Sequence, residues 1–280
     1  MELIEKRLPD THQIVVGGDW HIGSVLSSDE GIDEMIEYVK KTPDTYFAGL
    51  GDYQEAITVD DFRYDMKTQS GFDPLEQTYA VQDKLSTIKD KVLALGTGNH
   101  EAKLMRYGDL VKDVLCRNLE VPYGTFEYKL IIKSLTGALL YKIFITHGFG
   151  SISTVADSRR RCDSNIKLSL ERKLRNKASD CVVMCMGHTH KLIIAEPIDI
   201  LNLTDDGKDI QAGYTEKIQK GKDIPWEHRW YVNTGSFMRL YKMGVSGYAS
   251  IAGYDPVDLG YPVIKCVDGK ITGIEKRILT

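Results

Sequence analysis

Lys91-Val92-Leu93-Ala94-Leu95-Gly96-Thr97-Gly98-Asn99-His100-Glu101 decides how this chain is read. A short apolar run stops at a glycine-rich turn, and the turn delivers an amide, an imidazole and a carboxylate in succession. Such a run, bounded by turn residues, predicts a strand. The pattern recurs on either side. Gln13-Ile14-Val15-Val16 ends at Gly17-Gly18-Asp19, with Trp20 and His21 next. Tyr46-Phe47-Ala48-Gly49-Leu50 ends at Gly51-Asp52, Leu139 to Ile145 at Thr146-His147-Gly148, and Cys181 to Met186 at Gly187-His188-Thr189-His190.

Helical patterns separate these runs. Ile32, Met35, Ile36 and Val39 recur at spacings of three and four, and residues 75–88, 102–119 and 159–178 also read as helical. Strand, loop and helix in repetition predict an α/β protein with a substantial sheet. After residue 191 the apolar runs shorten, as in Trp230-Tyr231-Val232, Tyr261 to Val267 and Ile271 to Ile278. They predict mainly antiparallel strands around a polar excursion at about 204–228. No linker or repeat interrupts the chain, so the expectation is a single domain over 1–280, with the motifs in 1–190 and a mainly β completion in 191–280.

Composition bounds the possibilities. Of 280 residues, 42% are hydrophobic and 9% aromatic, which supplies a sizeable core and excludes disorder. Basic residues number 36 and acidic residues 40, a net charge of −4, with a pI near 6.0. That balance gives no global pull towards nucleic acid or an anionic membrane. No apolar run approaches the roughly 18 residues of a membrane span, and the start of the chain lacks a signal-peptide core. A cytoplasmic protein without a membrane partner is expected. The five cysteines are scattered, with no C-x-x-C, which argues against a disulfide framework or zinc finger. Cys181 and Cys185, four apart, are expected to share one buried face.

Five of the seven histidines sit just after a predicted strand, in or beside a glycine-rich turn. Loops at the carboxyl ends of sheet strands converge on one crevice, so residues 170 positions apart can meet there. Asp19, His21, Asp52, Asn99, His147, His188 and His190 form a candidate metal-ligand set. Imidazole, carboxylate and amide donors without thiolate suit Mn, Fe, Zn, Ni or Co. About seven donors exceed the needs of one ion, so two divalent ions sharing a carboxylate are expected.

The series D-x-H, G-D, G-N-H-E, H-G and G-H-x-H, carried by Asp19/His21, Asp52, Asn99/His100/Glu101, His147 and His188/His190, resembles the calcineurin-like metallophosphoesterase superfamily. The resemblance spans 19–190. It implies a sandwich of two β-sheets flanked by helices, with a dinuclear metal site on the strand-end loops. It also implies that Asp19, His21 and His190 hold one ion and Asn99, His147 and His188 the other, with Asp52 bridging. The implied chemistry is phosphoester hydrolysis by a metal-bridging hydroxide. Two ions bring +4 against −3 from Asp19, Asp52 and hydroxide, which suits a phosphoryl group, and shared metals lower the pKa of water from 15.7 towards about 7. His100 is implied as the donor to the leaving oxygen, with Glu55 as the acid that orients it.

The branch within the superfamily stays open. Gly18-Asp19-Trp20-His21-Ile22-Gly23 resembles the opening motif of Mre11/SbcD-type nucleases, whereas Gly98-Asn99-His100-Glu101 looks like the phosphatases. The Asp-Arg-Gly of protein phosphatases is replaced by Glu55-Ala56-Ile57, and with it goes an arginine that helps to hold a phosphomonoester. Segment 57–74, rich in Asp and aromatics, is an unmatched insertion placed to overhang the site. The basic helix at 159–177 brings Arg159, Arg160 and Arg161 soon after His147, where they are candidates for contact with an anionic substrate. Asn233-Thr234-Gly235-Ser236 reads as a strand-end turn, and His12 and His228 as ordinary core or surface residues. The glycine pattern at 96–101 lacks a dinucleotide fingerprint, and neither a Walker loop nor a G-x-S-x-G elbow occurs. The expected function is a two-metal phosphodiesterase acting on nucleotides or nucleic acid. A phosphomonoesterase and a non-catalytic scaffold of the same fold are the alternatives.

Overall fold

Alternate residues of the central strands point into different cores, and this alternation builds the protein in layers. The computed structural model describes residues 1–71, 73–245 and 247–279. Its strands in chain order are β1 (Glu2–Arg7), β2 (His12–Gly17), β3 (Thr45–Gly49), β4 (Val92–Leu95), β5 (Glu127–Lys133), β6 (Leu139–Thr146), β7 (Val183–Met186), β8 (Leu192–Ala195), β9 (Leu201–Asp205), β10 (Ile210–Tyr214), β11 (Trp230–Thr234), β12 (Gly260–Val267) and β13 (Lys270–Ile278). One sheet has six strands in the order β1-β5-β6-β7-β11-β8, and the other five in the order β13-β12-β2-β3-β4. Strands β9 and β10 form a separate, exposed hairpin.

Between the sheets lie Ile14 and Val16 of β2, Ile143 and Ile145 of β6, Cys185 of β7, Val232 of β11 and Ile264 of β12. The intervening residues face outward. Val15, Phe47 and Val263 pack under helices α1 (Asp29–Lys41) and α2 (Pro74–Ser86). Phe144, Met184 and Met186 pack instead with Leu170 and Leu174 of the basic helix. Strands covered on both faces need apolar residues at nearly every position, which is why these runs look continuous in the sequence. The result is the two-sheet sandwich flanked by helices that the motif order implies.

Local chemistry sets the helix boundaries. The Ser28 hydroxyl accepts from Gly31 N at the start of α1, with Asp29 and Glu30 in the first turn and Lys40 and Lys41 in the last. Asp73, Pro74 and Glu76 form a capping box that opens α2. The stretch after β4 is less regular than its pattern predicts. It holds one turn of α3 (Asn99–Ala102), a 3-10 turn at Lys103–Arg106, a π-helical segment at Val111–Cys116 and α4 (Arg117–Leu119). The basic helix α5 (Arg159–Leu174) ends four residues before the 178 predicted.

Cys181 and Cys185 are both buried but do not share a face. Cys181 precedes β7 and joins the core beneath α5, whereas Cys185 joins the core between the sheets. Among the described residues, no helix is long and apolar enough to cross a membrane. Phe72, in the 57–74 segment, and Thr280, at the end of the expected domain, lie outside the described residues.

Candidate metal centre

The parallel strands β2, β3 and β4 of one sheet and β6 and β7 of the other end at the same rim. Their loops carry Asp19 and His21, Asp52, Asn99 and His100, His147, and His188 and His190. The contacts among these side chains show that the five loops meet. Asn99 Oδ1 lies 2.8 Å from His147 Nε2 and 2.6 Å from His188 Nδ1. Those two ring nitrogens are 3.3 Å apart, and Asp52 Oδ2 is 3.2 Å from His147 Nε2. In a second group, His21 Nε2 lies 3.2 Å from His190 Nε2, which is 3.4 Å from Asp19 Oδ1.

Side chains around the cluster aim these atoms inward. The Nδ1–H of His147 donates to the Leu50 carbonyl at 3.2 Å, and that of His21 to Glu55 Oε2 at 2.8 Å, so each Nε2 faces the cluster. Each aspartate spends one oxygen on the backbone. Asp19 Oδ2 accepts from His188 N at 3.0 Å, and Asp52 Oδ1 accepts from His100 N at 2.8 Å. Their other oxygens point at the ring nitrogens, and among the described residues Asp19 Oδ1, fully buried, has no hydrogen bond, only the ion-pair contacts with His190 and His21. With the His21 and His147 rings neutral and Nδ1–H committed elsewhere, their Nε2 lone pairs converge with those of the neighbouring carboxylate and amide oxygens. That donor set fits divalent cations. Among the described residues, three overlapping groups have the required proximity: Asp19/His21/His190, His21/Asp52/His100 and Asp52/His147/His188.

The backbone holds these residues in an unusual way. Asp19, His21, Asp52, His188 and His190 all have φ between 51° and 68°, the left-handed region that L-residues with side chains seldom adopt. Each such residue costs roughly 1–3 kcal/mol unless its surroundings over-determine it. Close approach does so here. A Cβ on Gly98 would lie 2.1 Å from Asp52 Oδ1, and one on Gly187 would lie 2.5 Å from Asp19 Oδ2. The glycines of the motifs let the loops touch the carboxylates.

Electrostatics follow from burial and crowding. Burial opposes charge on His21, but Glu55 and the two aspartates outweigh it and push its pKa up to about 9. His147 reaches about 9 in the same way, through Asp52. The His147, His100 and His21 rings hold Asp52 well below the usual carboxylate range, despite its burial. Burial lowers His100 and His188.

His100 sits beside this cluster, its ring edge-on to His21 at 4.7 Å. Its orientation differs from expectation. The main-chain carbonyl of Glu55, not the carboxylate, accepts the His100 Nδ1–H, and Glu55 Oε2 stands 4.0 Å from that nitrogen while serving His21. Arg159, Arg160 and Arg161 are exposed on the first turn of α5, and Arg161 pairs with Asp157 at 2.5 Å. Among the described residues, no hydrogen bond or ion pair joins them to the cluster.

Three contributors stand outside the candidate site residues of the sequence reading, although that reading notes two of them, Glu101 and the Asn233–Ser236 turn. Glu101, fully buried, accepts from the main-chain N–H groups of Asp52, Tyr53, Gln54 and Gly98, and so ties the β3 and β4 loops together. The Asn233–Ser236 turn lies directly behind Asp19, because Ser236 Oγ and Phe237 N both donate to the Asp19 carbonyl. Arg63, from the 57–74 segment, reaches over the rim and places Nη1 3.3 Å from His100 Nε2. The glutamate and the turn both stand next to recognised motif elements, whereas nothing in the sequence distinguishes Arg63 from other surface arginines.

No protein-family model matches the chain, and neither does any curated protein. Solved structures similar to it include Vps29 from Chaetomium thermophilum, with 13% identity and a TM-score of 0.39 over 96% of this chain and 98% of that one. A conserved uncharacterized protein from Streptococcus pneumoniae, described as a predicted phosphoesterase, shares 13% identity with a TM-score of 0.31 over 96% and 98%. The calcineurin-like phosphoesterase YfkN from Bacillus subtilis shares 14% identity with a TM-score of 0.40 over 98% and 91%.

Proposed function

We propose that this protein is a two-metal phosphoester hydrolase of the calcineurin-like type, with phosphodiesters of nucleotides or nucleic acid as its substrates. One observation carries the reading: the buried Asp19 Oδ1 converging with the ring nitrogens of His21 and His190, next to a second convergent set around Asp52 Oδ2. Asp19, His21 and His190 would hold one ion, and Asn99, His147 and His188 the other, with Asp52 between them. Bound ions would supply Lewis acidity and an acidified water.

The remaining work falls to the chain itself. Glu55 fixes the tautomer of His21 through its carboxylate and the ring of His100 through its carbonyl. With Nδ1 so committed, the Nε2 of buried His100 faces Arg63 Nη1 at 3.3 Å and Asp52 Oδ2 at 4.0 Å, where in protonated form it would donate to the departing oxygen. The strained loops hold this arrangement before substrate arrives, so little reorganisation remains to be done. The carboxyl-terminal strands β12 and β13 extend the sheet that carries Asp19 and Asp52, which supports a single domain over 1–280.

The diester preference rests on the nuclease-like opening motif and the missing Asp-Arg-Gly. Arg63 favours a second reading, a phosphomonoesterase, because it brings a guanidinium beside His100 from another part of the chain. A non-catalytic scaffold is disfavoured by the complete donor set. The test is hydrolysis of bis-p-nitrophenyl phosphate and p-nitrophenyl phosphate with Mn, Ni, Zn or Mg, followed by single-stranded DNA and cyclic nucleotides. A higher kcat/KM for the diester supports the proposal, and a strong monoester preference replaces it with the second reading. Nucleic-acid cleavage indifferent to salt and to charge reversal at Arg159, Arg160 and Arg161 would assign those arginines to a solvated face.

A further inference from the structure

Arg63 is fixed in place before any substrate arrives. Its Nε and Nη2 grip the two oxygens of Asp61 at 3.0 and 2.9 Å, and its main-chain N–H donates to Asp61 Oδ1 at 3.0 Å. Lys103 Nζ, from the segment after α3, anchors the same carboxylate at 2.9 Å. This fork leaves Nη1 alone to face the site, 3.3 Å from His100 Nε2. Among the described residues, Arg63 is the one arginine or lysine side chain hydrogen-bonded to a member of the cluster or to His100.

The polarity of that contact is fixed. A guanidinium has donors and no acceptor, and His100 has committed Nδ1–H to the Glu55 carbonyl, so Arg63 donates and the Nε2 lone pair accepts. Neutral imidazole is a modest acceptor for a permanent cation, whereas a phosphoryl oxygen, anionic and compact, is a strong one. The contact marks a place where an anionic oxygen would receive Nη1–H from one side and, once His100 is protonated, Nε2–H from the other.

Building on the hydrolase reading above, we propose that Arg63 is a substrate-binding residue, supplied by the 57–74 segment, which donates Nη1–H to a phosphoryl oxygen beside His100. Asp61 and Lys103 act as positioning residues that hold the guanidinium with one donor free. The segment that looked like an insertion thereby replaces the arginine missing after Asp52, from a different point in the chain. One charge-assisted hydrogen bond of this kind changes affinity by about 10- to 100-fold.

The test is calorimetric titration of inorganic phosphate into metal-loaded wild-type protein, R63A, R63K and D61N, with elemental analysis of each. R63A should keep its metal content while weakening phosphate binding about tenfold or more. R63K should recover part of the loss, and D61N, which leaves the charge but frees the side chain, should fall between. With an aryl phosphate, kcat/KM should follow the same order. Phosphate affinity within twofold of wild type in R63A overturns the proposal. So does an R63K protein that keeps its metals and binds no better than R63A. If R63A itself misfolds, D61N decides, because wild-type affinity there contradicts a positioned donor. Phosphate binding that depends on Arg63 in a protein that cleaves no ester would refute the hydrolase reading and leave this inference standing.

Discussion

His21 and Glu55 are joined by a 2.8 Å hydrogen bond from the imidazole Nδ1 to Oε2, in a buried setting where both side chains are almost inaccessible. The bond gives Glu55 a role on the metal side of the site, distinct from the leaving-group role that its position after Asp52 suggested. Removing such an orienting carboxylate typically lowers metal affinity by about 10–100-fold. Glu55→Gln should therefore weaken metal binding by about that factor. Competition titration with a chelator measures it, and unchanged affinity would assign the carboxylate to His100 after all.

Asp52 belongs to two of the three convergent groups, and Asp19 and His190 to one. Asp52→Ala should strip both ions, whereas Asp19→Ala or His190→Ala should spare the second in part. Elemental analysis of the purified variants distinguishes the cases. A full complement in Asp52→Ala would exclude its bridging position.

His100→Asn should retain its metals and slow turnover by about 10²–10⁴-fold, the usual cost of losing a general acid. Aryl esters leave without much protonation, so alkyl esters should suffer more. Equal losses for the two leaving groups would refute the donor role, and loss of a metal would make His100 a ligand.

A pH effect on stability comes from outside the site. Asp180 accepts from Lys129 and Lys142 at 2.7 Å each, linking β5 and β6 to the entry of β7. Partial burial works against its charge, but the two ammonium groups pull its pKa down to about 2. The unfolded chain titrates near 3.9, so the stabilisation is complete above about pH 5, declines as pH falls through the folded value and is gone near pH 1. Its full size is of the order of 1–2 kcal/mol. Asp180→Asn should lower the denaturation midpoint at pH 6 and converge with wild type as pH falls below 2, near about pH 1. Parallel curves across that range would contradict the linkage.

Much of the layering was legible because strands buried on both faces, such as β2, β6 and β7, leave continuous apolar runs. Strand β5 hid its pattern better. Tyr128, Leu130 and Ile132 are buried in strict alternation, but lysines at 129 and 133 break the run. Strand β1, at the sheet edge, buries only Ile4, leaves Leu3 exposed and carries charge at its other four positions, so it reads as polar. The hairpin β9–β10 is exposed throughout and left no burial signal to find. In the site, the motif residues were legible because close-packed loops demand glycines beside their carboxylates. Arg63 was not, because a side chain reaching in from an irregular segment obeys no spacing rule. The partner of the Glu55 carboxylate was equally hidden, since His21 and His100 are both within 4.0 Å and only the fold chooses between them.

The most direct test of the two-metal hydrolase is reconstitution. Protein stripped with a chelator is titrated with Mn in fractions of an equivalent, while hydrolysis of an aryl phosphate ester and bound metal are followed together. Hydrolysis should rise with occupancy of the second ion and level off at two equivalents per chain. Saturation at one equivalent, undiminished hydrolysis by the stripped protein, or no hydrolysis at two bound equivalents would contradict the mechanism.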